Sequence, residues 1–297
     1  MQNRKNRYYS IDIVKFLASI FISILHFNYK FIPQGYLMVE LFFMISGVFI
    51  YLNKDKYSGL SLKNILLNRF ISFYPYYCLL LILYLFFINF KISQSDIIYA
   101  LLLVGDIGIG NRIMPGYLWF IGTYFYLYIF YIVLLKNIDI FKFKLITFII
   151  AFWGISALYF YSKGIINITY SNYIFFIPQG VFRGLVSMAW GIILGSFISI
   201  IEVKKSNLLI NIIIIYILNI LFQNVTAEYD FISYFIFSLI LYLLFVYENN
   251  LLNYLGKKFN KLFNLYPIIY IIHGFIVIVL LKYNFRNDKI SQVGIYL

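Results

Sequence analysis

Apolar stretches long enough to cross a bilayer recur from one end of this chain to the other, separated by short polar loops. A run of about 18 or more apolar residues reads as a transmembrane helix, because in hydrocarbon a segment has to satisfy its own backbone N–H and C=O groups. Barrel strands would instead alternate with period two over segments of about ten residues, and no such alternation is present. Only 12% of the residues are charged, against 63% hydrophobic and 22% aromatic, which is about half the charge of an ordinary soluble domain. The expected fold is an all-α, polytopic transmembrane helix bundle.

Nine spans are expected, at 10–29, 36–52, 71–90, 116–135, 142–161, 181–201, 207–223, 231–247 and 265–282. The apolar piece 97–105 is too short to cross and is expected at the interface or as a re-entrant segment. Basic residues are rich in alternate loops: Arg4, Lys5 and Arg7; Lys54, Lys56, Lys63 and Arg69; Lys136, Lys142 and Lys144; Lys204 and Lys205; Lys257, Lys258 and Lys261. The loops between them are poorer, which by the positive-inside rule puts the N-terminus in the cytoplasm. Residues 283–297 break the alternation with Arg286 and Lys289. A basic start followed by an apolar run also suggests a signal peptide, but the run is too long and lacks a small-residue cleavage site, so it is expected to stay as the first span.

The net charge of +13 lies mainly in the inner loops, where it follows from topology and anionic lipid and gives no reason to expect nucleic acid. No loop is long enough for a soluble domain, so residues 1–297 are expected to form a single transmembrane domain. The lone Cys78 excludes an internal disulfide and a cysteine-based metal cluster, and no metal site is expected.

The first run, "IDIVKFLASIFISILHFNYK", carries Asp12, Lys15, Ser19, Ser23 and His26. At 100° per residue these fall within an arc of about 80°, so they form one polar stripe. A stripe of this kind faces a bundle interior or a wet cavity, and ionisable groups within it point to function. The serines suit interhelical hydrogen bonds. His26 lies about 16 Å beyond Lys15 along the helix.

The second run, "GYLMVELFFMISGVFI", puts Glu40 at its outer end, where the topology brings it to the depth of His26. A carboxylate there can orient an imidazole acting as general base. Ser46 and Gly47 suit close helix packing. Tyr266, Tyr270 and His273 share one face of the last run. Trp119 in "GYLWFIGTYF" suits an aromatic belt or a site, and Arg183 in "PQGVFRGLVSMAWG" lies near the outer end of its span. On the inner side Arg69 stands closest to the membrane, and its planar fork suits a phosphate.

These segments, in this order, resemble the integral-membrane acyltransferase-3 family, which moves acyl groups, usually acetyl, onto cell-surface carbohydrates. "IDIVKFLASIFISILH" resembles its first-span motif, a basic residue followed by histidine. "VELFFMISGVFI" resembles its acidic-Phe-Phe-x-x-Ser-Gly signature, and "NRFISFYPYY" its basic segment leading to Tyr-Pro. "GYLWFIGTYF" resembles a later Leu-Trp-Phe element and "IIYIIH" the last, histidine-bearing motif. Lys15 stands where the family usually has arginine, and Ser72 where the inner Arg-x-x-Arg pattern has its second arginine. The expected span count is one short of the family's usual ten.

The resemblance implies an O-acyltransferase of the bacterial cytoplasmic membrane. Its donor would be cytoplasmic acyl-CoA, acetyl-CoA first, used as substrate with no bound cofactor. Its acceptor would be a hydroxyl of an extracytoplasmic or lipid-linked glycan. Lys15 and Arg69 would hold the donor, His26 would act as base or acyl carrier with Glu40 orienting it, and Trp119, Arg183 and His273 would line the acceptor side. The alternative is a transporter or flippase for a lipid-linked saccharide, which a basic and aromatic lining would also serve. Internal repeats would favour it, and none is apparent.

Overall fold

A computed structural model describes residues 8–27, 35–87, 93–109, 119–162, 173–174, 177–202, 204–205, 230–248 and 250–282. The expected span 207–223 and the basic residues of 283–297 lie outside the described residues. The rest is a helix bundle: α1 (Tyr9–Phe27), α2 (Met38–Leu52, entered through a 3-10 turn at Gly35–Leu37), α3 (Lys54–Gly59), α4 (Leu62–Phe87), α5 (Gln94–Leu101) and α6 (Trp119–Asn137). It continues with α7 (Ile140–Ser162), α8 (Gln179–Ile198), α9 (Ile232–Val246), α10 (Asn250–Lys258), α11 (Asn260–Phe263) and α12 (Tyr266–Lys282). Two-residue strands pair antiparallel at Tyr173–Ile174 with Ile177–Pro178 and in parallel at Lys204–Lys205 with Tyr247–Glu248.

Six helices among the described residues are long and apolar enough to cross a membrane: α1, α2 with its entry turn, α4, α6, α7 and α8. The expected spans 231–247 and 265–282 correspond to α9 and α12, apolar helices of 15 and 17 residues. The third span begins earlier than its hydropathy suggests. Lys63 and Arg69, expected in a loop, belong to the first turns of α4, because a helix continues past the apolar core as long as its side chains reach water or partners. The piece 97–105 does not cross. It forms α5, started by a capping box between Ser93 and Asp96 and closed by three tyrosines. Tyr77, Tyr74 and Tyr126 donate to the carbonyls of Ala100, Leu101 and Leu102 at 3.0, 2.9 and 2.7 Å, which supplies partners for a helix end that has none of its own.

Contacts set the directions of the helices. Along α2 and α8, Glu40 meets Arg183, Met44 meets Gly191 and Val48 meets Gly195, so the two run in parallel. In α9, Tyr234 meets Ser187, Ser238 meets Trp190 and Phe245 meets Phe49, so it runs the same way. So does α6, where Phe120 meets Phe43, Tyr124 meets Ser46 and Tyr128 meets Tyr57. Running against them, α1 places Tyr8 and Lys15 beside Phe49 and its far end beside Gly35. Opposite the stripe, α12 runs parallel to α1, with Lys15 at Tyr266 and His26 at His273.

The core is the α2–α8 pair. In their candidate spans 78% and 72% of residues are buried, against 22% and 28% for α4 and α7, whose outward side chains, Ile71, Phe86, Phe141 and Phe160 among them, are exposed apolar groups. The pair is close because small residues meet. A Cβ on Gly191 would stand 2.0 Å from the Met44 carbonyl oxygen, and one on Gly47 would stand 2.1 Å from that of Met188. Small residues four apart, Gly191 and Gly195, give the near backbone approach by which membrane helices pack where no hydrophobic effect drives them together.

Candidate active site

The stripe on α1 is half-buried at Asp12, Lys15 and His26, and buried at Ser19 and Ser23. The serine hydroxyls do not reach across helices. They donate within α1, Ser19 to the Phe16 carbonyl at 2.7 Å and Ser23 to the Ser19 carbonyl at 2.8 Å. Back-bonding of this kind satisfies a short hydroxyl without any neighbour, so the stripe's functional content lies in its ionisable members.

At one end of the stripe, Lys15 Nζ stands over the rings of Phe49 and Tyr266, 5.1 and 5.3 Å from their centroids. Nearby, the Arg69 guanidinium lies over Tyr128 at 4.4 Å and Tyr124 at 5.7 Å, and its charge interacts with the phenols of Tyr57 and Tyr266 as well. Ring faces attract cations and leave the N–H donors at the guanidinium edge available. Lys136 is differently engaged: its Nζ donates to the carbonyls of Tyr57 and Leu60 at 3.0 and 2.8 Å, so it closes the end of α3. The Tyr128 hydroxyl donates to that of Tyr57 at 3.0 Å.

At the other end, His26 stacks on His273, with ring centroids 5.3 Å apart and planes 15° from parallel. Between the two ends the rings form an unbroken file. Tyr57 meets Tyr128 at 6.5 Å, Tyr128 meets Tyr124 at 6.2 Å, and Tyr124 meets Phe120 at 5.5 Å. Phe120 meets Tyr270 at 5.3 Å and Tyr270 meets His273 at 5.3 Å. The face of α12 expected from sequence is thus the one turned inward, Tyr266 and Tyr270 meeting Phe42 and His273 meeting His26. Ser46 sits beside this file, donating to the Phe42 carbonyl at 2.9 Å with the Tyr124 hydroxyl 3.3 Å away, as a packing residue would.

Glu40 is held by Arg183 and not by His26. Arg183 Nε donates to Glu40 Oε1 at 2.7 Å, and its Nη2 closes on the same oxygen. Both side chains are fully buried. The expectation that Glu40 orients the His26 ring rested on shared depth. A carboxylate without water needs a whole opposite charge, which a guanidinium supplies and a neutral imidazole does not. Arg183 does not snorkel to the surface. The Trp119 ring lies 5.7 Å from its guanidinium carbon and also covers Gly180, where an added Cβ would stand 2.9 Å from the indole. Glu40 Oε2 and Arg183 Nη1 make no hydrogen bond among the described residues.

Three residues that sequence reasoning passed over complete this end. The Tyr36 hydroxyl donates to Asp230 Oδ2 at 2.5 Å, and the Tyr234 hydroxyl donates to Ser187 Oγ at 3.0 Å, the serine's own hydrogen going to the Arg183 carbonyl. Asp230 and Tyr234 are fully buried. Asp230 did leave a signal, a carboxylate two residues after Glu228 at the opening of an apolar run. Among the described residues no group of three or more His, Cys, Asp or Glu side chains gathers as metal ligands would.

The chain can thus offer a cationic, ring-lined end, a pair of imidazoles, and a file of aromatic faces between them. A family model described as an acyltransferase domain matches residues 8–297. No curated protein and no solved structure matches the chain.

Proposed function

The chain belongs to that acyltransferase family, and from this premise we propose that it is an O-acyltransferase moving an acyl group, acetyl first, from cytoplasmic acyl-CoA to a hydroxyl of an extracytoplasmic or lipid-linked glycan. The N-terminus and the basic ends of α1 and α4 face the cytoplasm of a bacterial cell, where the positive-inside rule puts them. The chain crosses the cytoplasmic membrane nine or ten times.

One observation carries the reading: the file of rings that joins the Lys15–Arg69 end to the His26–His273 pair. Lys15 and Arg69 bind donor phosphates, Arg69 through its planar edge. The slender pantetheine arm lies along the ring faces, which brings the thioester to His26. His26 removes the proton of the acceptor hydroxyl as its oxygen forms a bond to the acyl carbon. The carbon–sulfur bond then breaks, and the same proton passes to the leaving thiolate, giving free CoA. In the variant with an acyl carrier, the imidazole bonds to the acyl carbon, the carbon–sulfur bond breaks and the thiolate takes the ring proton; the acceptor hydroxyl then displaces the imidazole, which takes back the hydroxyl proton. Glu40 contributes through Arg183, which with Trp119 and His273 lines the acceptor side. Family membership favours this over the transporter or flippase alternative.

The test is transfer of label from radiolabelled acetyl-CoA into the surface polysaccharide of cells expressing the chain, beside His26→Ala at matched protein level. Label with the intact chain and none with the variant is the expected result. Equal label from both would remove His26 from the chemistry.

A further inference from the structure

The Tyr36–Asp230 bond joins residues 194 apart in sequence and belongs to no step above. Tyr36 lies in the 3-10 turn Gly35–Leu37 that opens α2, and Asp230 lies just ahead of α9. At 2.5 Å the bond has the length of a hydroxyl on a charged carboxylate, stronger than a neutral pair. On its other side the turn rests directly on α1. A Cβ at Gly35 would stand 2.8 Å from the Phe21 carbonyl oxygen and 2.9 Å from Leu25 Cβ, so only glycine allows the turn to seat there. Leu25 is buried and adjoins His26.

The turn is therefore gripped from both sides, by α1 one turn before its end and by α9 through a carboxylate. One helical turn further along α2, Glu40 makes its own tie to Arg183 of α8. The two ties lie close enough for Asp230 and Glu40 to interact as charges and for Arg183 to act on Tyr36. Together they bind the beginnings of three parallel helices, and the end of α1 that carries His26 leans on the turn between them.

We propose that Tyr36 and Asp230 are positioning residues, which act through the turn at Gly35 to hold the end of α1 so that His26 stays stacked on His273 and aimed at the acyl carbon. The inference rests on the acyltransferase reading for its kinetic arm only. The donor end of α1, at Lys15, is about 16 Å away and is tied separately to Phe49 and Tyr266, so loosening the turn acts on turnover and leaves donor binding alone. A misplacement of about 1 Å in a reacting group costs up to roughly a hundredfold in rate.

The experiment has two arms, each on the full chain in membranes. In the kinetic arm, Tyr36→Phe, Asp230→Leu and Asp230→Asn are compared with the unaltered chain in acyl transfer from acetyl-CoA. Tyr36→Phe and Asp230→Leu should lower kcat between about tenfold and a hundredfold with KM for the donor unchanged. Asp230→Asn, which keeps an oxygen acceptor for the Tyr36 hydroxyl, should recover most of that loss. In the positional arm, cysteines replace His26 and His273 in a Cys78→Ser background, and a short bifunctional methanethiosulfonate links them. Tyr36→Phe added to this background should reduce the linking rate severalfold.

Unchanged linking in Tyr36→Phe overturns the proposal. So does reduced linking with kcat intact, or a loss in which donor KM rises in step and Asp230→Asn does not recover. If the unaltered chain transfers no label while Tyr36→Phe still slows linking, the donor and acceptor assignment fails and the hold on His26 stands.

Discussion

Arg183 and Glu40 form an ion pair, Nε to Oε1 at 2.7 Å, with both side chains sealed from solvent. It ties the openings of the two most buried spans, α8 and α2, and Trp119 covers the guanidinium.

Such a pair is costly to break and cheap to replace. Arg183→Met leaves a buried carboxylate alone and should cost about 3–5 kcal/mol, as should Glu40→Leu for the stranded guanidinium. The double variant should be more stable than either single one. Thermal unfolding of the purified protein in detergent measures all three. A double variant no better than the singles would mean that the two charges are not each other's main partner.

The α2–α8 contact gives a sharper steric test. Gly191→Ala places a Cβ 2.0 Å from the Met44 carbonyl oxygen, and the neighbour is backbone that cannot swing aside. The expected cost is about 1–3 kcal/mol, as for other overpacked positions. Gly59→Ala, with nothing within 4 Å of the new Cβ, serves as the control and should be neutral or slightly stabilising. The same unfolding measurement compares them.

The stripe from Lys15 to His26 is legible in the sequence because helical spacing alone decides which residues share a face. The face of α12 that carries Tyr266, Tyr270 and His273 is legible for the same reason. The alternation of basic loops agrees with the relative directions of α1, α2, α6, α8, α9 and α12. Pairing is another matter. Glu40 meets Arg183 across 143 residues of sequence, and shared depth equally permitted His26; which neighbour faces Glu40 depends on how α8 is rotated, and that is set by glycines meeting backbone. Ser19 and Ser23 could bond within or across helices, and no spacing rule separates the two. Tyr36 is one tyrosine among 30, and only the fold distinguishes it, by setting Asp230 opposite its hydroxyl.

Arg69 tests the donor end. Its guanidinium lies 4.4 Å above Tyr128, a contact that a compact ammonium reproduces poorly. Arg69→Lys should raise KM for acetyl-CoA about tenfold, a loss of ~1.4 kcal/mol, with kcat little changed. A lower kcat at unchanged KM would place Arg69 in the chemistry instead.

His273 tests the other end. His273→Phe keeps a flat ring against His26 and Tyr270, so the fold and donor KM should hold. Transfer should fall because the imidazole nitrogens are lost from the acceptor side, with acceptor KM rising severalfold. A variant as active as the unaltered chain would reduce His273 to a packing partner.

The glycine contact between α2 and α8 also bears on motion. Two helices whose backbones touch through Gly47 and Gly191 cannot slide or roll past one another without driving side chains into carbonyls. They act as a fixed keel. The α1–α12 pair meets instead through flat rings and a lysine over a phenol, surfaces that shear without collision. Whatever breathing admits a substrate and releases a product therefore falls to α12, because α1 is itself seated on the glycine turn at Gly35 that holds its His26 end.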